Sequence, residues 1–301
     1  MIETDLTYPK SSVEPFKWMG LDFFVKRDDL IDPRFSGNKF RKLYSLFKFN
    51  SNDYSKVISY GGAQSNAMLS IAYLAAMKGW EFVYYVKKIP KRLESSPSGN
   101  LRRALELNMK LRQIPHSIFY ESIEKIRRGI SEDEIFIPQG GADPVAAEGV
   151  KVLADEIKEW MCCNSIESLS VATPSGTGTT ALFLAKYLPE SVDVVTTPVV
   201  GDEETLRLQW QKLHSEGESL PKILASLKKH PFAKPDIRFL EAWRSLKRSG
   251  ILFDLIYAPK MWLELEVFYE ELKKPVLYIH SGGVSGNESQ LQKYRFKGIG
   301  E

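Results

Sequence analysis

Short apolar runs alternate with longer helical patterns along most of this chain, and several of the runs end in turns of glycine and small polar residues. Residues 22–26 form a first strand-like run, followed by an acidic turn at Asp28-Asp29. Residues 56–60 read as a buried strand that stops at Gly61-Gly62, and a helix follows through about Lys78, with Ala67, Ile71, Leu74 and Ala75 as its apolar stripe. Residues 81–86 predict the next strand and 100–111 the next helix. Residues 134–138 are strand-like before Gly140-Gly141, and Asp143-Pro144 opens a helix through about Trp160. Residues 169–173 run as a strand into a glycine-rich turn, with a helix from about Thr179. A strand over 193–200, helices over 203–214 and 237–249, and a late strand over 276–280 complete the pattern. Such alternation predicts an α/β chain with a mainly parallel sheet covered by helices on both faces. Sites in such sheets lie at the carboxyl ends of the strands. Four of those ends carry small polar or glycine-rich loops, at 59–66, 138–141, 175–180 and 280–283.

The chain has 301 residues, enough for two domains or one large one. Its net charge of +3 is small and its basic residues are scattered among acids, which gives no case for a nucleic-acid partner. No apolar run approaches the roughly 18 residues of a membrane helix. The start, Met1-Ile2-Glu3-Thr4-Asp5, lacks the basic-then-apolar plan of a signal peptide. The two cysteines, Cys162 and Cys163, are neighbours, which suits neither a disulfide nor a metal site and leads to the expectation of a reducing cytoplasm.

The stretch 35–43, Phe-Ser-Gly-Asn-Lys-Phe-Arg-Lys-Leu, follows the first strand. Gly37 suits a tight turn, and Ser36 or Asn38 suits a helix cap. Lys39 then falls in the first helical turn, where the dipole disfavours a cation. That suits an amine that must lose its proton and attack a carbonyl. The alternative is a solvated lysine in a basic run with Arg41 and Lys42. The loop Ser175-Gly176-Thr177-Gly178-Thr179-Thr180 opens a helix and has the composition of a phosphate cradle. It carries no cation of its own, so amides and hydroxyls are expected to hold a monoester phosphate. A plain capped turn is the alternative. Ser65 and Asn66 start another helix directly after a strand, as caps or as groups that face a substrate carboxylate and a ring hydroxyl. A reactive amine, a small phosphate cradle and an asparagine at strand ends are what a pyridoxal phosphate site requires.

The sequence resembles the 1-aminocyclopropane-1-carboxylate deaminase/D-cysteine desulfhydrase family, within the tryptophan synthase β-subunit-like, fold type II pyridoxal phosphate enzymes. The matching pieces are 26–29, 36–43, 61–66, 138–141, the glycine-rich loop, 250–260 and 280–283, in the family's order. Residues 215–235 match nothing in it. The resemblance implies an α/β fold of two open, twisted, mainly parallel-sheet domains with the cofactor cleft between them. Residues 1–42 and 138–301 would form the larger, cofactor-binding domain, with 43–137 inserted as a smaller one. It implies pyridoxal 5'-phosphate as cofactor and Lys39 as the imine lysine. Asn66 would meet the cofactor hydroxyl, Ser281 its ring nitrogen, and Ser175, Gly176, Thr177, Gly178 and Thr179 its phosphate. Gln64, Ser65, Asn38 and Asn66 would lie near the substrate, and Tyr257 would approach it. Lys39, Ser65 and Tyr257 are the expected catalytic residues, a small amino acid the substrate and a homodimer the assembly, with no metal, nucleic acid or membrane partner.

One departure bears on the reaction. The residue after the active-site tyrosine is Glu in the ring-opening deaminases and Thr in the D-cysteine enzymes; here it is Ala258. Without a carboxylate at the ring nitrogen the electron sink is weaker. That suits loss of an α-proton with departure of a β-thiolate better than the opening of a cyclopropane. The expected activity is therefore β-elimination from D-cysteine or a relative, giving pyruvate, ammonia and sulfide. A cyclopropane-acid deaminase, a cofactor-binding homologue without turnover and a racemase are the rivals. His280 is expected to be a packed histidine, Trp160, Trp210, Trp243 and Trp262 core or interface residues, and Lys87, Lys88, Lys91 and Arg92 part of a solvated loop.

Overall fold

The computed structural model describes residues 10–227 and 230–300. The N-terminal stretch 1–5, on which the expectation about a signal peptide rests, lies outside them, as do Lys228 and Lys229 of the unmatched stretch. The chain opens with an antiparallel hairpin, β1 (Val13–Trp18) and β2 (Leu21–Lys26). Its two-residue turn places Met19 and Gly20 at positive φ, 50° and 79°, the geometry that matches strand twist. Pro15 is tolerated in β1 because that strand is the sheet edge.

The chain then leaves this sheet and builds a second one. Strands β3 (Lys56–Gly61), β4 (Glu81–Lys87), β5 (Lys110–Ile114) and β6 (Glu134–Ile137) stand in the order β5-β4-β3-β6, all parallel. It returns to the first sheet with β7 (Leu169–Ala172), β8 (Val192–Thr196), β9 (Lys222–Ile223) and β10 (Val276–Ile279). The six-stranded order is β1-β2-β10-β7-β8-β9, parallel except for the hairpin.

The helices are α1 (Gly37–Phe47), α2 (Asn66–Lys78), α3 (Lys91–Ser95), α4 (Gly99–Glu106), α5 (Phe119–Arg128), α6 (Ala146–Cys163), α7 (Thr179–Tyr187), α8 (Glu203–Trp210), α9 (Ile237–Arg248), α10 (Ala258–Phe268) and α11 (Asn287–Phe296). The α/β reading with parallel sheets holds. Several boundaries change. The helix expected over 100–111 stops at Glu106, and Lys110–Ile114 is an edge strand. The strand expected to reach residue 200 ends at Thr196, and the helix expected to reach 214 ends at Trp210. The first hairpin strand, α5, α10 and α11 add to the sequence reading. Helix α6 begins at Ala146, with Asp143 accepting from Val145 N at 2.9 Å through its side chain and from Ala146 N at 3.0 Å through its carbonyl.

Helix α1 belongs to both halves. Phe40, Leu43, Leu46 and Phe47 recur every three or four residues and enter the apolar core of the four-stranded sheet. The other side of α1 crosses α6 so closely that a Cβ at Gly149 would stand 1.9 Å from the Arg41 carbonyl oxygen. Arg41 is fully buried at that crossing. It makes a two-point contact with Asp28, Nε to Oδ2 at 2.8 Å and Nη2 to Oδ1 at 2.6 Å, and reaches Glu156 at 2.8 Å. Lys26 joins the same buried cluster through Glu156 and the Ser11 carbonyl. Two cations and two carboxylates, together neutral, therefore pin α1 to β2 and α6.

Trp210, Trp243 and Trp262 are buried, and Trp160 packs edge-on against Phe24. His280 is buried against Phe253, with Nε2 3.0 Å from the Leu252 carbonyl and Nδ1 accepting from Gly282 N. Lys88, Lys91 and Arg92 are exposed, but Lys87 lies 4.7 Å above the Tyr120 ring, and 91–95 is a helix rather than a loop. Among the described residues no helix is long and apolar enough to cross a membrane, and no His/Cys/Asp/Glu cluster of metal-binding size occurs.

Candidate active site

The carboxyl ends of both sheets and the start of α1 meet at one place. Helix α1 begins just after Ser36, whose backbone carbonyl accepts from Lys39 N and Phe40 N at 2.6 and 3.0 Å. The Ser36 side chain does not cap the helix. It donates instead to the Ser281 carbonyl, 2.6 Å away at the end of β10. Lys39 in the first turn donates to Asn38 Oδ1 at 2.6 Å, and among the described residues no carboxylate pairs with it. Burial without a counter-charge lowers its pKa to about 8.

One turn on, Lys42 is buried and points to the glycine-rich loop. Its Nζ lies 3.1 Å from the Gly140 carbonyl and 3.4 Å from Thr177 Oγ1. Burial, with the like charge of Lys39 adding to it, holds its pKa well below the ordinary lysine value. An amine thus reaches a loop that was expected to have none beside it. Helix α1, not the loop, delivers it. The run Arg41-Lys42 looks solvated in sequence, yet both side chains are buried.

The loop itself follows from local chemistry. Thr196 donates to the Thr173 carbonyl at 2.6 Å, so the Ser175 hydroxyl, 2.6 Å away, donates to Thr196. Ser175 N donates to the Thr197 carbonyl at 3.0 Å. Ser175 is thus the loop's anchor to the sheet, and both its donors are spent there. This differs from its expected place among the phosphate donors. Gly178 turns the chain into α7 at φ 71°, where a Cβ would lie 2.2 Å from Trp210 Nε1. Among the described residues no acceptor pairs with the amides of Gly176, Thr177, Gly178 and Thr179. They stand at the positive end of α7 beside the Thr177 and Thr179 hydroxyls, which are 2.9 Å apart. Orphan amides, two hydroxyls and a buried lysine without a carboxylate are the donor set a phosphate monoester takes.

Ser65 and Asn66 come from the other sheet. Ser65 caps α2, accepting from Ala67 N and Met68 N at 3.2 and 3.3 Å, and its own hydroxyl is within hydrogen-bond reach of Tyr84, whose proton goes to the Gly62 carbonyl. Asn66 Oδ1 accepts from Asn100 Nδ2 at 2.9 Å. Gln64 is used differently from expectation, since its side chain donates to the Ser98 carbonyl at 2.9 Å and accepts from Asn100 N at 3.0 Å. Both ends of that side chain are spent on the approach to α4.

Tyr257 precedes α10. A Cβ at Gly176 would lie 3.4 Å from its hydroxyl, so the phenol overhangs the loop. Burial, and the nearby Asp254 carboxylate, raise its pKa, so it stays protonated and acts as a donor. Asp254 accepts from the amides of Ile256, Tyr257 and Ala258, with burial raising its pKa to about 6. Its oxygens thus hold the turn. Ala258 is fully buried in the apolar core of the six-stranded sheet. The Ser281 hydroxyl is buried and makes no hydrogen bond among the described residues. A buried hydroxyl with no protein partner suits a ring nitrogen.

A profile of the pyridoxal-phosphate dependent enzymes matches residues 11–242. A Thermotoga maritima protein named provisionally as a 1-aminocyclopropane-1-carboxylate deaminase is 28% identical over 296 residues, 91% of this chain and 92% of that one. A Pyrococcus furiosus protein of the same provisional name is 25% identical over 291 residues, 90% of this chain and 87% of that one. A crystal structure described as an ACC deaminase homologue superposes with a TM-score of 0.75 at 22% identity, covering 96% of this chain and 93% of the other. With the profile spanning most of its length, the chain belongs to the family of pyridoxal-phosphate dependent enzymes, and pyridoxal 5'-phosphate is its cofactor.

Proposed function

We propose that this enzyme is a lyase acting on a small amino acid, with β-elimination from D-cysteine or a β-substituted relative as its main reaction. The observation that carries the choice is that, among the described residues, Ala258, Asp254 and Ser281 offer no free carboxylate where the ring nitrogen is proposed to lie. Ala258 is apolar and buried, Asp254 is spent on backbone amides, and Ser281 offers only a hydroxyl.

The cofactor supplies an electron sink for the carbanion that forms when a substrate α-proton leaves. The chain's residues have the following parts. Lys39 would hold the cofactor through its aldehyde and would carry the substrate α-proton at Nζ, for which a pKa lowered to about 8 is well matched. The amides of Gly176, Thr177, Gly178 and Thr179, the Thr177 and Thr179 hydroxyls and Lys42 hold the phosphate, with Ser175 fixing the loop. Asn66 holds the ring hydroxyl, Ser281 faces the ring nitrogen, and Ser65 donates to the substrate carboxylate, with Asn38 and the backbone of Gln64 nearby. Tyr257, protonated, steadies the substrate from above the loop. We also read 1–42 with 138–301 as a larger domain and 43–137 as an inserted smaller one, the boundary falling within the shared helix α1. A homodimer is the assembly we expect.

A second reading is deamination of 1-aminocyclopropane-1-carboxylate. The names of the Thermotoga and Pyrococcus relatives favour it. Pyruvate formation from D-cysteine, L-cysteine and the cyclopropane acid separates the two. Faster turnover of D-cysteine, with sulfide released in equal amount, is the expected result. Preference for the cyclopropane acid would reverse the ranking, and no turnover of any of them would favour a cofactor-binding homologue.

A further inference from the structure

We infer that Asn100, which lies outside the site itself, sets which atom Asn66 turns toward the cofactor, and so acts as a positioning residue. The inference rests on the proposed role of Asn66 at the ring hydroxyl.

Asn100 is fully buried at the start of α4, and each of its polar groups is matched. Its Nδ2 donates to Asn66 Oδ1 at 2.9 Å and to the Gln64 carbonyl at 3.1 Å. Its Oδ1 accepts from Ser285 Oγ at 2.9 Å, and its backbone N donates to Gln64 Oε1 at 3.0 Å. A side-chain amide has one donor end and one acceptor end, and this set fixes both for Asn100. Ser285 has a proton to give to Oδ1, and the Gln64 carbonyl can only accept, so Nδ2 must face it. The consequence passes to Asn66. Its oxygen is taken by Asn100, so its NH₂ is the end left to face outward. That nitrogen lies beside the 281–283 turn, where a Cβ at Gly283 would come within 2.6 Å of it.

An NH₂ there stabilises a ring oxygen that has lost its proton. A carbonyl oxygen there would repel one. Asn100 therefore sets the sign of the interaction through an atom that never touches the cofactor. Ser285 carries the constraint across from the C-terminal part of the chain, so the orientation of Asn66 depends on both sheets' halves being in place.

Asn100→Asp tests this with almost no change in shape, because a carboxylate cannot donate to Asn66 Oδ1. Titration of cofactor-free protein with pyridoxal phosphate should show roughly tenfold weaker binding, the size expected when the hydrogen bond that orients Asn66 is lost and its NH₂ no longer faces the ring oxygen. The visible absorption of the bound cofactor should titrate at a shifted pH. In an Asn66→Ala background the same substitution should add nothing to either readout, whereas a purely structural role would add its full effect there. If Asn100→Asp does not fold, Ser285→Ala, which removes only the donor to Asn100 Oδ1, should weaken binding about two- to fivefold. Affinity and absorption equal to the parent protein's in the folded variant, or additive effects in the double variant, would overturn the inference. Failure of the parent protein itself to take up cofactor would instead overturn the active-site reading.

Discussion

At the scale of single residues, the site depends on two amines, a half-buried Lys39 and a buried Lys42, that have no carboxylate partner among the described residues. Lys39 has its pKa lowered to about 8 by burial, so the neutral, nucleophilic form increases as pH rises through that value. The rate of cofactor uptake by cofactor-free protein should rise between pH 7 and 9 with a midpoint near 8. A midpoint above pH 10, measured by stopped-flow absorbance, would mean the amine is solvated. Lys42 makes a different prediction. Its folded pKa lies below its unfolded one, so between those values the unfolded chain binds more protons and stability rises with pH. Lys42→Met removes that cost. In cofactor-free protein it should raise stability at pH 7 by about 1–3 kcal/mol and flatten the rise with pH, while weakening cofactor affinity about tenfold to a hundredfold. Denaturant melts and a binding titration check the pair, and a variant that weakens both or neither would remove Lys42 from the phosphate site. Lys42 also marks the limit of the sequence. The amine at 39, the small-residue loop and Asn66 could be read from residue types and their order. Lys42 could not, because a basic run has the same composition whether it is solvated or packed under a crossing helix.

At the scale of elements, the strand–turn–helix pattern was legible wherever a buried parallel strand gave a continuous apolar run. It failed at the sheet edges. The run Lys110–Ile114 is polar at three of five positions because β5 is an edge strand, and it read as the tail of a helix. β1 contains a proline that only an edge strand accepts, so it gave no strand signal. The ends of α4 and α8 were misplaced because propensity does not mark where tertiary contacts stop a helix. The crossing of α1 and α6 was equally invisible, since it rests on an absent side chain at Gly149. The atom facing Gly149 is backbone, so no rotamer change relieves a Cβ there, and Gly149→Ala must push α1 away from α6. The expected cost is about 1–3 kcal/mol in stability. Because Lys39 and Lys42 ride on α1, cofactor affinity should fall as well. A variant that melts lower but binds cofactor as before would show that the position of α1 does not depend on α6.

At the scale of the whole molecule, the proposed cofactor ligands are divided between the two sheets. Ser65 and Asn66 begin α2 in the four-stranded half, whereas Ser281 and the 176–179 loop stand at the ends of β10 and β7 in the six-stranded half. Direct contacts between α4 and the C-terminal segment are few and polar. Asn100 bonds Ser285, and Arg103 lies 3.3 Å from Glu288 at a partly exposed contact. An exposed pair of that kind contributes little, in the range of 0–1 kcal/mol. A ligand held from both sides should therefore couple the halves on this side of the cleft, in addition to the coupling that the shared helix α1 supplies. At about a thousand times its dissociation constant it adds about 4 kcal/mol of stability. The gain should be concentrated where the halves meet, not spread evenly. Hydrogen exchange measured with and without pyridoxal phosphate should show the largest protection at residues 61–66, 99–106 and 281–289. The buried strands β7 and β10, already closed by packing on both faces, should change least. Protection confined to the 176–179 loop would mean that the cofactor is held by the six-stranded half alone and that Asn66 takes no part. Protection spread evenly over the chain would mean that the two halves already open as one unit without it.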